Sequence, residues 1–197
     1  ENLINLRVNN FEKLPKDINL FKNLSDNEFK KVTVEGKFLN EKEMFMPALS
    51  KNGNNGFHIL VPFKTTSGEY FIYNTGWVPL RLKEKSLRLK NITNEINRYE
   101  AVLRTPGRKG YFQPDNDMAK NTWFFVEPDL MSDYLKIPLV KEVYLEAVNN
   151  GPGGYPIGNQ TRIYLRNNHL QYALTWLFLT FGLIGVFLFS NVKIIKK

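Results

Sequence analysis

Phe57 to Val78, FHILVPFKTTSGEYFIYNTGWV, is the stretch that decides the fold. Two runs rich in β-branched and aromatic residues, FHILVPFK (57–64) and YFIYNTGWV (70–78), flank TTSGE (65–69). A glycine-bearing connection that short closes a hairpin and cannot make a parallel crossover, so the two strands are antiparallel. Pro62 lacks an N–H, which predicts an edge or bulge at that point. Outward from the hairpin, Met44 to Leu49 reads as a strand that precedes the turn chemistry of SKNGNNG (50–56), and Val32, Val34 and Phe38 as another, weakened by Gly36. On the other side, Tyr99 to Arg104, Trp123 to Val126 and Val143 to Val148 read as strands. TPGRKGYFQPDNDMAKN (105–121) is a long loop. Short helices are predicted over Asn2 to Phe11 and Pro128 to Leu135, and Ser25 with Glu28 three residues on suggests a capped helical turn. NNGPGGYPIGNQ (149–160) reads as a linker, with a short strand near Thr161 to Leu165. The class is mainly β or α+β, an antiparallel sheet domain with short helices.

The chain ends differently. LQYALTWLFLTFGLIGVFLFSNV, Leu170 to Val192, is 23 residues without a formal charge. At about 1.5 Å per helical residue it exceeds the roughly 30 Å hydrocarbon core of a bilayer. A transmembrane helix over 168–192 is predicted, followed by a basic tail (193–197) whose Lys193, Lys196 and Lys197 suit the cytoplasmic side. The domain, residues 1–165, then lies outside the cytoplasm. Its export calls for a signal sequence or a first membrane helix before Glu1.

Composition narrows the chemistry. The 197 residues carry a net charge of +8, no cysteine and two histidines, His58 and His169. That excludes disulfides, thiolate metal sites, cysteine nucleophiles and three-imidazole zinc sites. Without the three terminal lysines the remainder is +5, with acids and bases interleaved, which does not make a nucleic-acid stripe. The basic run Arg81 to Lys90, broken by Glu84, reads as a solvated or membrane-facing loop. No nucleophile elbow, phosphate loop or dinucleotide fingerprint is present, and Glu41 with Glu43, or Asp115 with Asp117, read as solvated pairs, so no enzyme is predicted. His58, between Phe57 and Ile59 on a strand, reads as structural, with a hydrolase centred on it as the competing idea. His169 opens the apolar helix, where His169, Tyr172, Ala173 and Trp176 share one stripe at offsets 0, 3, 4 and 7. Such a stripe suits either interfacial anchors or the edge of a large planar cofactor.

GFHILVPF (Gly56 to Phe63), YNTGWVP (Tyr73 to Pro79) and RNNHLQYALTW (Arg166 to Trp176), in this order before a C-terminal membrane helix, resemble the Surfeit locus protein 1 family. The resemblance implies an assembly factor for haem–copper cytochrome c oxidase in a bacterial plasma membrane or the mitochondrial inner membrane. It implies two membrane helices flanking an extracytoplasmic domain, and transient binding of haem a for insertion into subunit I. The family's haem-ligating histidine falls on His169, with Tyr172 and Trp176 expected to line the haem. Subunit I and membrane lipid are the expected partners, and a cofactor-free scaffold for subunit I is the alternative. Thr75 stands where the family pattern tends to have arginine, so this chain offers no cation for a contact at that position, and Trp77 reads as core.

Overall fold

The structure is a computed structural model that describes residues 2–50, 52–161 and 168–195. The chain divides into two compact units, Glu1–Ile163 and Tyr164–Lys197.

The first unit begins with helix α1 (Asn2–Glu12) and is built on seven strands among the described residues. These are β1 (Lys16–Asp17), β2 (Lys31–Phe38), β3 (Met44–Leu49), β4 (Asn55–Thr65), β5 (Tyr70–Pro79), β6 (Asn97–Arg104) and β7 (Tyr144–Ala147), with helix α2 (Pro128–Leu135) between β6 and β7. Their order is β1-β2-β6-β7-β5-β4-β3, and β2 pairs additionally with β4. That last pairing closes β2, β6, β7, β5 and β4 into a ring, a small barrel with β1 and β3 as outer additions.

Gly36 makes the closure possible. It pairs with Asn97 of β6 on one side and Thr65 of β4 on the other. A Cβ on Gly36 would sit 2.1 Å from the Lys64 carbonyl oxygen, so only glycine lets β2 come this close to β4. The residue read in the sequence as a weakness is the seam of the barrel.

The β4–β5 hairpin runs from Gly56↔Pro79 to Lys64↔Tyr70, with a bulge between Ile59 and Leu60. Pro62 is not at a sheet edge. β4 is interior, and its second neighbour changes from β3, paired as far as Leu60, to β2, paired from Phe63. Pro62 occupies the gap between them, where no ladder N–H is required.

The near-continuous apolarity of β4 follows from cover on both faces. Phe63, Phe71, Tyr73, Val32, Val34, Leu103 and Leu145 fill one core. Leu60, Ile72, Met44 and Tyr144 meet Trp123, Met131, Leu135 and Leu139 in a second, laid over the sheet by α2 and its flanks.

Several expectations change. The sheet expected to be antiparallel is so in most of its pairings, but β7 is parallel to β5 and β1 to β2. Trp123 to Val126 is not a strand: Asn116 Oδ1 accepts from the Phe124 amide (2.8 Å) and the Phe125 amide (3.4 Å), taking donors that a neighbouring strand would have used. Ser25 does not cap a helix. It starts a single 3-10 turn, Ser25–Asn27, with Leu24 at the cap position. The segment 149–160 is folded onto the sheet, with Trp77 and Ile157 exchanging backbone hydrogen bonds of 2.9 and 2.8 Å and the Asn159 amide donating to Ala147 O at 2.8 Å. Most of the strand expected over Thr161 to Leu165 lies outside the described residues.

The second unit contains one described element, helix α3 (His169–Ile195). Its span His169–Asn191 is long and apolar enough to cross a membrane.

Candidate functional site

Helix α3 starts at the histidine that the sequence singles out. The first of its ladder bonds runs from the Tyr172 amide to Asn168 O at 3.0 Å, which leaves His169 in the opening turn. All side chains from His169 to Ser190 are exposed, including Tyr172 at 63% and Trp176 at 69%. With offsets of 3 and 7 residues these three fall on one stripe of the helix, across the small Ala173. Of the three, only the imidazole could ligate iron, and the two aromatic side chains would offer apolar surface to a haem held there. Polar groups farther along are satisfied within the helix: Thr175 Oγ1 donates to Gln171 O (2.8 Å), Thr180 Oγ1 to Trp176 O (2.9 Å) and Asn191 Nδ2 to Phe187 O (2.8 Å). That local satisfaction is what hydrocarbon demands.

The barrel domain has a recess of its own, a cleft of about 480 Å³. Phe38 of β2, Val61 of β4, Tyr73 and Thr75 of β5, Tyr99 of β6 and Ala147 of β7 line it, one or more from each strand of the closed ring, so it is the mouth of the barrel. Its floor is aromatic. Phe38 packs edge-on against Tyr73 (centroids 5.0 Å apart) and Tyr99 (4.9 Å). Tyr73 donates its hydroxyl to Glu100 O at 3.1 Å, and burial pushes its ionisation well above the ordinary phenol range, with Tyr99 and Glu100 adding to the shift. The Tyr99 hydroxyl is buried and has no hydrogen-bond partner among the described residues. Thr75 also lines the mouth and donates to Ile59 O at 3.0 Å, so a neutral side chain stands where the resembled pattern tends to carry a cation.

One wall of the mouth is held by charge that sequence reading missed. Arg88 and Glu43, 2% and 6% exposed in their side chains, form a two-pronged pair in which Nη1 donates to Oε1 at 3.0 Å. Arg88 Nε also donates to Leu82 O at 3.0 Å. The reading of Glu43 as a solvated carboxylate is therefore corrected, and Arg88 is the buried member of a basic run whose other cations are exposed or half-buried. The only hint in the sequence was an arginine between two leucines, Leu87 and Leu89, that themselves face outward at 62% and 63%. His58 sits in register between Met46 and Trp77 in the sheet, and Trp77 is 5% exposed with its indole N–H donating to Ala48 O at 3.2 Å.

Comparison with known sequences gives this arrangement a family. The family model described as the SURF1 family matches residues 3–181, spanning the barrel and the first half of α3. The chain belongs to the SURF1 family. It is similar to Surfeit locus protein 1 of Mus musculus (32% identical over 181 residues, 83% of this chain and 56% of the relative). The Homo sapiens protein of that name is 31% identical over 182 residues (83% and 58%), and the Gallus gallus protein 30% over 171 (78% and 54%). The chain thus spans little more than half the length of these SURF1 family relatives.

Proposed function

We propose that this protein is a membrane-anchored assembly factor for haem–copper cytochrome c oxidase that carries haem a as cargo for subunit I, and is not an enzyme. The observation that carries the reading is the placement of His169, Tyr172 and Trp176 on one exposed stripe at the start of the membrane-length helix. Family membership supports the oxidase connection. A carrier has to let go. One imidazole ligand on an open helix surface gives moderate, reversible affinity, where a closed pocket with two ligands would retain the cargo. When haem is bound, the His169 imidazole would hold the iron, and the Tyr172 and Trp176 side chains on the same stripe would cover part of the ring with apolar surface. The three lysines after the apolar span favour a C-terminus on the cytoplasmic side of a bacterial plasma membrane, or the matrix side of the mitochondrial inner membrane, with the barrel on the opposite side.

A host strain lacking this chain, complemented with the wild type, His169→Ala or His58→Ala, tests the assignment. Oxidase haem a absorbance in membranes is expected to return with the wild type and His58→Ala and to fall several-fold with His169→Ala. Full oxidase in the His169→Ala strain would overturn the ligand role.

A further inference from the structure

The loop between β6 and α2 carries the most conspicuous apolar exposure of the barrel unit. Tyr111 and Phe112 are each 94% exposed, their rings edge-on with centroids 4.9 Å apart. They occupy the two corner positions of a turn closed by the Gln113 amide donating to Gly110 O at 3.0 Å. Corner positions of turns ordinarily hold Pro, Gly, Asn, Asp or Ser, and the two large aromatic rings there bury almost no surface on folding. The turn is nevertheless anchored. Gln113 Nε2 donates to Phe124 O at 2.6 Å and its Oε1 accepts from the Gly110 amide at 3.0 Å, while Asn116 ties the base to Phe124, Phe125 and Glu127. The rings are therefore displayed on a fixed convex tip. Arg108 and Lys109 precede them. Lys109 pairs with Asp115, and Arg108 has no ion pair among the described residues.

From this we infer that the Gly110–Gln113 turn is a membrane-inserting tip, with Tyr111 and Phe112 entering the headgroup–acyl boundary and Arg108 engaging lipid phosphate. A protein partner would need a socket cut to two projecting rings, whereas a fluid bilayer accepts a convex apolar tip without shape matching. Aromatic rings beside a cation are the composition of membrane interfaces. The occupant is also at hand, because the same chain carries a helix of membrane-spanning length, which raises the local concentration of bilayer around the barrel. The inference is independent of haem binding.

A chain with no native cysteine allows a clean probe. Gly110 has ordinary room for a side chain, the nearest contact of an added Cβ being 3.5 Å. Full-length Gly110→Cys, nitroxide-labelled, is reconstituted in vesicles of phosphatidylcholine and phosphatidylglycerol, with a water-soluble nickel relaxant on both sides. The label is expected to be shielded from nickel and accessible to oxygen, to lose most of that shielding in Tyr111→Ser/Phe112→Ser, and to keep it in Tyr111→Trp/Phe112→Trp. A label as nickel-accessible in vesicles as in the serine variant would overturn the inference and leave a protein socket as the occupant.

Discussion

At the scale of single residues, the barrel mouth holds buried polar groups of opposite consequence. Glu43→Ala strands the Arg88 guanidinium in a site where it is 2% exposed, and breaking one half of a buried pair costs about 3–5 kcal/mol. Chemical denaturation followed by the fluorescence of buried Trp123 is expected to show that loss. Tyr73→Phe removes a made hydrogen bond, at roughly 0.5–1.5 kcal/mol. Tyr99→Phe removes a hydroxyl without a partner among the described residues, and is expected to be neutral or stabilising by up to about 1–3 kcal/mol in the same assay. A clear destabilisation by Tyr99→Phe would mean that something satisfies the hydroxyl in solution. Gly76→Ala is the severe case: φ is +121° and the new Cβ would lie 2.3 Å from Ile157 O. Losing the Trp77–Ile157 backbone bonds in consequence is expected to release the 149–160 segment to rapid hydrogen exchange.

At the scale of elements, the hairpin, β3 and both short helices were legible because each is local: strand runs bounded by glycine turns, and Pro128 at a helix start. What escaped was decided by distant partners. Gly36 looks like a strand breaker until Lys64 is seen across the seam, and β7 reads as one more antiparallel strand although it inserts between β5 and β6 after a long excursion. Trp123 to Val126 has strand composition, yet Asn116 captures its donors from eight and nine residues away. The same loop contains a pH-sensitive turn. Asp117 is held below the ordinary carboxylate range, chiefly by its hydrogen bond from the Lys120 amide. A depressed carboxyl stabilises the folded form above its unfolded pKa, so this contribution is complete above about pH 4 to 5 and disappears as acid is added. Amide exchange at Lys120 is expected to speed up on acidification relative to its intrinsic rate, and in Asp117→Asn that acid-dependent increase is expected to be absent.

At the scale of the whole molecule, the helix that carries the candidate residues was easier to read than the barrel. A membrane helix announces itself by composition, and the stripe of His169, Tyr172 and Trp176 needs nothing beyond helical spacing. The barrel mouth had no such signal, because its lining comes from five strands and the loops between them, scattered between Phe38 and Pro156. The two units carry different features: α3 is long and apolar enough to cross a membrane and begins with His169, and the barrel has an aromatic mouth and an exposed aromatic tip. Haem ligation by His169 is read most simply in the visible spectrum of the protein purified in detergent from cells making haem a. A Soret band that accompanies the wild type and is absent from His169→Ala is the predicted result; identical haem content in the two proteins, or none in either, would contradict it and leave a cofactor-free scaffold.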